Sequence, residues 1–289
     1  VWAFAKAGVS APLLFEAIAA ASVERIATFA PQNLANTVWA YSKAGVEAPS
    51  LFEAIAAEAL TKLTKFNPQM LANTLWAFAF AGVSAPVLFE EAAFEALKKI
   101  SVFNHGDLSH TAWAFAKAGV PAPAMFAAVA AAALPKMEKF DGTDLALTAW
   151  AFDEAREPAP ALFEAMAAEA VRKMNALKWR QLADFICAFS KAGIDAPELF
   201  AAAEEAAPMK LAWFMPRAKL ELADETARAP AGAPGLFAAI RSTADLARQE
   251  GWALECPPHL QNKGPQRSMR LTNAALRWSD GPRDVGECA

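Results

Sequence analysis

A series of cations recurs along the chain at intervals of 37 residues or twice that number. The series comprises Lys6, Lys43, Lys117, Lys191 and Arg228. Four of the five have no Glu three or four residues earlier, so most are not neutralised locally. A row of such cations can follow the phosphates of a nucleic-acid backbone. Cations at helix C-termini also gain about 0.3–1 kcal/mol from the helix dipole without any ligand, and both interpretations stay open.

Two sets of mostly polar residues vary from one interval to the next and lie seven and ten residues before the cation position. The first set reads Asn36, Asn73, His110, Leu147, Asp184 and Glu221, and the second reads Asn33, Met70, Asp107, Asp144, Gln181 and Ala218. A protein that reads one base per repeat needs a fixed framework with variable contact residues, but unconstrained surface positions vary in the same way. On a helix, Asn33, Asn36, Ala40 and Lys43 would share one face. The candidate RNA contacts are Asn33, Asn36, Asn73, His110 and Gln181 for bases and Lys43, Lys117 and Lys191 for phosphates.

Catalytic and metal-binding patterns are weak by comparison. His105, His110 and His259 have no nucleophile or metal ligand at a useful spacing, and the three cysteines lie far apart. The sequence has neither a phosphate-binding glycine loop nor an HExxH motif. We therefore expect no enzymatic activity, no cofactor and no metal.

The composition indicates a folded chain. Of 289 residues, 55% are hydrophobic and 20% are charged, with a net charge of −4, which is too apolar for intrinsic disorder. The acidic balance supplies no bulk attraction to nucleic acid. Residues 66–89 are uncharged but interrupted by proline and polar residues, so we expect no membrane span. Because the chain starts at Val1 rather than Met, we expect its natural N-terminus and any targeting peptide to be missing.

The elements that position these residues are internal repeats of 37 residues. Trp2, Trp39, Trp76, Trp113 and Trp150 keep this period, as do seven prolines from Pro12 to Pro234 and seven phenylalanines from Phe15 to Phe237. Each repeat is predicted to form two helices. Asn67, Asn104 and Asp141 are predicted N-caps of first helices, glycines such as Gly82 are predicted to end them, and prolines such as Pro86 are predicted to begin second helices.

Stacked helix pairs of this kind predict an all-α protein. We predict an α-solenoid, a right-handed α-α superhelix of about seven helix-turn-helix repeats, over residues 1–250, and a disordered tail over residues 251–289. The tryptophans and phenylalanines are predicted to form core ladders, with stacking on RNA bases as the alternative for the tryptophans. A second cation series, near the end of each second helix, is predicted to be a solvated structural row. That series comprises Arg25, Lys62, Lys99, Lys136, Lys173 and Lys210.

Two segments carry a recognisable signature: residues 31–45, PQNLANTVWAYSKAG, and residues 68–78, PQMLANTLWAF. They resemble the octotricopeptide repeat of algal organelle RNA-binding proteins. The heptatricopeptide and the FAST-kinase-like, RAP-domain families share the same Leu-Ala-Asn-x-x-Trp-Ala core. The resemblance implies RNA binding in a mitochondrion or plastid, in the processing, stability or translation of organelle transcripts or rRNA.

Two functions are consistent with the sequence. The leading hypothesis is a monomeric adaptor for single-stranded RNA that works with other RNA-processing proteins and without a membrane. The alternative is a protein-interaction scaffold that binds an extended peptide or a helix in its concave groove, which the net acidity favours.

Overall fold

A computed structural model describes residues 1–212, 252–255 and 270–273. Residues 1–212 form six consecutive helix pairs. The helices are α1 (Trp2–Ala7), α2 (Pro12–Arg25), α3 (Pro31–Ala44), α4 (Pro49–Lys62), α5 (Pro68–Ala81), α6 (Pro86–Lys99), α7 (His105–Ala118), α8 (Pro123–Ala133), α9 (Gly142–Ala155), α10 (Pro160–Arg172), α11 (Trp179–Lys191) and α12 (Pro197–Ala212). The all-α class and the repeated helix pairs are confirmed. The predicted seventh pair lies outside the described residues.

Local signals explain the helix boundaries. Proline begins α2, α4, α6 and α8, where its missing N–H would have no helical partner. Gly82 ends α5 in the left-handed region at φ 68°, a conformation that glycine adopts without steric cost. The caps are as predicted: the Asn67 side chain accepts from the Met70 N–H, and Asn104 and Asp141 each form a capping box.

The chain divides into two compact units, Val1–Glu169 and Ala170–Ala289. In the first unit, the first helices of successive pairs pack side by side, α1 against α3, α3 against α5, and onward to α9. The second helices α2, α4, α6 and α8 form a parallel layer. The helices α3, α5 and α7 are therefore each flanked on two sides by first-layer neighbours and on a third by their own partner.

The predicted phenylalanine ladder forms the core between repeats. Phe15, Phe52, Phe89 and Phe126 are at most 2% exposed. Each packs edge-on against an aromatic residue of the next first helix, with ring centroids 5.0–5.2 Å apart. One of these partners, Tyr41, donates its hydroxyl to the Phe15 carbonyl at 2.6 Å, and burial raises the pKa of Tyr41 to about 12. Aromatic pairs of this geometry gain about 0.5–1.5 kcal/mol beyond the area they bury.

Three members of the second cation series, Lys62, Lys99 and Lys136, are structural as predicted, and their ammonium groups bond to the protein rather than lie in solvent. The Lys99 ammonium donates to the Thr64 and Phe66 carbonyls of the preceding repeat, at 3.0 and 2.8 Å. Lys62 makes the equivalent bonds to Ala27 and Phe29, and Lys136 to Ser101 and Phe103. These carbonyls lie at the ends of the 3-10 turns Ile26–Thr28, Leu63–Lys65 and Ile100–Val102. We call this contact the lysine clamp, because each lysine ties its repeat to the preceding one.

In the second unit α11 packs against α12. Two short strands, β1 (Trp252–Glu255) and β2 (Arg270–Asn273), pair antiparallel with Trp252 opposite Asn273. The sequence analysis predicted no strand here, since four residues are too few to show a convincing alternation. The extent and disorder of the predicted tail stay predictions. No helix among the described residues is long and apolar enough to span a membrane.

Candidate nucleic-acid interface

One edge of each first helix reaches solvent. On α3 the side chains of Leu34, Val38 and Tyr41 are fully buried. Asn33 and Lys43 are exposed and Asn36 and Trp39 are partly exposed. These four positions, three or four residues apart, form a single stripe, because neighbouring helices cover the remaining circumference. The predicted face needs one correction: Ala40 is fully buried, and Trp39 lies on the solvent edge instead.

The predicted contact residues fall in both units. Asn33, Asn36 and Lys43 lie on α3, Asn73 lies on α5, and His110 and Lys117 lie on α7, so the first unit brings six of them onto adjacent helices. Gln181 and Lys191 lie on α11 of the second unit. There the Gln181 side chain accepts from the Lys178 N–H at 2.9 Å, and Lys191 is exposed. RNA contact by these residues stays a prediction.

In the part of the chain that the structure describes, the cations on the solvent-exposed edge of the first helices are not neutralised by ion pairs. Within the described residues no carboxylate pairs with Lys43 or Lys117, in contrast to the lysine clamp. Lys43 borders a recess of about 230 Å³ beside the Gly8–Pro12 turn. Lys117 borders an equivalent recess of about 180 Å³ beside the Gly82–Pro86 turn. Phe80 and Glu154 occupy the same position in the third and fifth repeats, so the row of cations is interrupted.

The two acidic residues at the positions equivalent to Asn33 are engaged inside the protein. Asp107 and Asp144 are 6% and 5% exposed, and each accepts the backbone N–H of the N-cap residue three positions earlier. Burial raises the pKa of Asp107. The repeat pattern predicts both positions to lie at the surface, equivalent to Asn33. The capping box accounts for their burial, so these carboxylates do not face a ligand.

Asp144 also joins α9 to α7. Its carboxylate accepts the Ser109 hydroxyl at 2.7 Å and lies 2.6 Å from His105 Nδ1. A catalytic serine would bond to the histidine, whereas here both Ser109 and His105 bond to the carboxylate. The arrangement therefore links two repeats and does not activate a hydroxyl. Within the described residues no cluster of three potential metal ligands occurs.

The tryptophan ladder lies on the same edge as the candidate contacts, which sequence analysis missed. Trp2 is 43% exposed, and Trp39, Trp76, Trp113 and Trp150 are partly exposed. The ladder was predicted, but the prediction that its tryptophans are buried was wrong. The available signal was spacing: Trp39 stands three residues after Asn36 and four before Lys43, which places all three on one side of a helix.

His110 lies within the ladder. Its ring is 6.3 Å from the Trp76 ring, between centroids. Burial lowers the pKa of His110, and the nearby carboxylates of Asp144, Asp107 and Asp141 oppose that shift only in part. A neutral imidazole offers one donor and one acceptor, which suits contact with a base edge.

Comparison with known proteins supplies one match. The model of a family described as RNA-editing substrate-binding complex 6 protein matches residues 1–205, which include the whole of α1 to α11. No curated protein matches the chain.

Proposed function

The chain belongs to the family of RNA-editing substrate-binding complex 6 proteins, an RNA-associated helical-repeat family, and from this premise we propose that it binds single-stranded RNA. It acts as an adaptor in organelle RNA processing, stability or translation, without catalysis of its own. The family's description refers to a complex, which supports a role beside other RNA-processing proteins. The motif resemblance supports a mitochondrion or plastid as the location. The octotricopeptide relation rests on that motif alone.

The observation that carries the proposal is the alignment of polar and cationic side chains along α3, α5 and α7. The amides of Asn36 and Asn73 each offer donors and an acceptor to base edges. Lys43 and Lys117, which no carboxylate neutralises within the described residues, hold phosphates. Single-stranded RNA exposes both groups at once, whereas the bases of a duplex are stacked and paired.

At two of the variable positions the acidic residues do not oppose this proposal. Asp107 and Asp144 lie inside the repeat array and bond to N-cap backbone groups. The few cations on the edge predict a moderate salt dependence. Each phosphate contact with a single strand contributes about −0.7 to the slope of log affinity against log salt, so three contacts give a slope of about −2.

The test is binding of the purified chain to a randomised pool of single-stranded RNA, at low and at physiological salt. We expect a short motif to be enriched and the affinity to fall as salt rises. Changing Lys43, Lys117 and Lys191 together to Ala is expected to weaken binding and to flatten the salt dependence.

The matched control changes three exposed lysines elsewhere, Lys65, Lys98 and Lys139, to Ala. Both triple variants lose the same charge, so only the position differs. The site assignment is refuted when the Lys43, Lys117 and Lys191 variant keeps its affinity and salt slope, or when the control loses as much.

A protein-interaction scaffold is the second candidate. Large apolar side chains are exposed on the second-layer helices: Leu13 on α2 is 79% exposed, and Val87 and Phe94 on α6 are 56% and 62% exposed. Such residues are more frequent at protein interfaces than on free surfaces when they are contiguous. Failure of the chain to retain any RNA at low salt would make this candidate the leading one.

A further inference from the structure

We propose that the tryptophan ladder is a stacking platform for RNA bases, with its centre at Trp76, Phe80 and Trp113. The inference rests on the proposed function and specifies how that function is performed. The RNA bases would stack chiefly on the aromatic faces. The neighbouring Asn and His side chains would favour some bases over others.

Packing does not account for the exposure of these rings. The repeat array buries aromatic residues fully where they serve the core, as Phe52 and Phe89 show at 2% and 1% exposure. Trp39, Trp76 and Trp113 lie on helices with a neighbour on both sides and are still partly exposed, and Phe80 is 45% exposed. A row of partly exposed aromatic rings along adjacent helices is a typical mark of an interaction surface.

The rings along this edge lie close together, and most of them are tilted rather than stacked face to face. The centroids of Trp76 and Trp113 are 6.0 Å apart with the planes tilted by 31°, and those of Trp113 and Trp150 are 6.1 Å apart with a tilt of 38°. These rings therefore do not cover one another by close stacking. Trp76 and Phe80 do stack, at 4.6 Å and 16°, and Phe80 also lies 6.4 Å from Trp113. Three aromatic rings thus converge at the middle of the edge.

The charges beside the rings favour a nucleic acid over an apolar peptide. Lys6, Lys43 and Lys117 each follow a ladder tryptophan by four residues, which is one helical turn. In the first repeat the Lys6 ammonium lies 4.8 Å from the Trp2 ring, so there the spacing places cation and ring in contact. A nucleotide carries a flat base and an anionic phosphate, and rings alternating with cations complement both.

The repeats differ in what they offer. The third repeat has Phe80 where others have lysine, so it presents two stacked rings and no cation. The fifth has Glu154 beside Trp150, which repels a phosphate. The platform is therefore strongest near Trp76, Phe80 and Trp113 and weakest at Trp150. Because every base has a π face, binding at the centre is tolerant of base identity.

The experiment measures binding of the full chain to a 12-nucleotide oligouridylate and to a ribose-phosphate oligomer of equal length without bases, at low salt. The first variant is Phe80→Leu, which keeps an apolar side chain but removes an exposed ring. Stacking energies measured by ring removal predict about a five- to tenfold loss of oligouridylate affinity for this exposed position. Trp113→Leu is expected to lose at least as much.

The chain offers a matched control in Phe94→Leu. Phe94 is 62% exposed on α6 and has the Lys98 ammonium 4.1 Å from its ring, so it combines an exposed ring with a cation, but in the other layer. The affinity of the Phe94→Leu variant for oligouridylate is expected to remain within twofold of that of the unaltered chain. Crosslinking to RNA that contains 5-iodouridine is expected to occur in peptides carrying Trp76, Phe80 or Trp113.

The outcomes separate the inference from the proposed function. If the unaltered chain binds neither oligomer, the proposed function fails. If it binds both oligomers equally, or binds oligouridylate with affinity that Phe80→Leu does not change, RNA binding stands and the stacking platform is refuted. Since Phe80 is exposed, its variant is expected to melt like the unaltered chain, and it decides the matter even if Trp113→Leu does not fold.

Discussion

The lysine clamp predicts a large stability cost for a single lysine on the protein surface. Lys99 donates to two carbonyls of the preceding repeat, at 3.0 and 2.8 Å, and pairs with Glu95 at 2.9 Å. Its side chain is only 23% exposed. Lys99→Met keeps the aliphatic chain that packs along the helix but removes all three polar contacts.

The magnitude follows from the two carbonyl bonds. A hydrogen bond to a charged group contributes about 1.5–3 kcal/mol to stability. The two bonds share one ammonium that is partly solvated, so we expect Lys99→Met to cost about 2–3 kcal/mol rather than the sum. For a domain of this size, each kcal/mol lowers the melting temperature by about 2–4 °C, and the expected decrease is about 5–10 °C.

The adjacent residue is a matched control. Lys98 pairs with the other oxygen of the same Glu95 carboxylate, at 2.9 Å, but it is 49% exposed and makes no carbonyl contact among its described hydrogen bonds. Exposed ion pairs contribute about 0–1 kcal/mol, so Lys98→Met is expected to change the melting temperature by 2 °C or less. Both variants remove one positive charge beside Glu95.

Thermal and urea unfolding followed by circular dichroism measure the difference. Repeating both substitutions in a Glu95→Gln background separates the ion pair from the carbonyl bonds. The cost of Lys99→Met should largely persist there, since the Thr64 and Phe66 carbonyls do not depend on Glu95. Equal destabilisation by the two methionine variants would refute the clamp, as would loss of the Lys99 effect in the Gln background.

Two further predictions concern local features. Burial lowers the pKa of His110 below its usual 6.5, so this residue binds a proton more readily in the unfolded chain, and stability should fall as the pH drops below about 6.5. The His110→Leu variant should therefore show a flatter dependence of melting temperature on pH between 7.5 and 5.5. An unchanged slope would contradict this prediction. Arg156 ends α9 in the left-handed region at φ 56°, where the five other first helices of the described residues are followed by a left-handed glycine at the equivalent position. Arg156→Gly should therefore stabilise the chain by about 0.5–1 kcal/mol, and Gly82→Ala should destabilise it similarly; urea midpoints that move the other way would contradict the assignment.

Much of the fold could be predicted from the sequence because its signals are local. A proline at the first turn acts on its own residue, which explains why α4 and α6 begin at Pro49 and Pro86 as predicted. The cap at Asn67 depends on a hydrogen bond only three residues away. The full burial of Phe52 followed from its helical spacing and from the need of each helix pair to cover its apolar face.

The candidate site was predicted only in part, because burial on a helix depends on its neighbours. Asn36 and Lys43 lie on the solvent edge as expected, but Ala40 does not and Trp39 does. Helical periodicity places residues on the same side of α3, but α1, α5 and α4 determine which side remains open. The same holds for Asp107, which sequence analysis treated as a surface residue and which the capping box of α7 buries.

By itself, the sequence determined the helix-pair repeat, its length and the start and end of most helices, since each of these depends on residues within a few positions of one another. Only the tertiary structure decided which cations are free and which are engaged. Lys62 and Lys99 bond to carbonyls 33 and 35 residues away, whereas no such partner holds Lys43 in the described residues. Neighbouring Glu residues separate the two series in sequence but do not reveal the carbonyl acceptors, because an acceptor comes into reach of the flexible lysine side chain only when one repeat packs on the next.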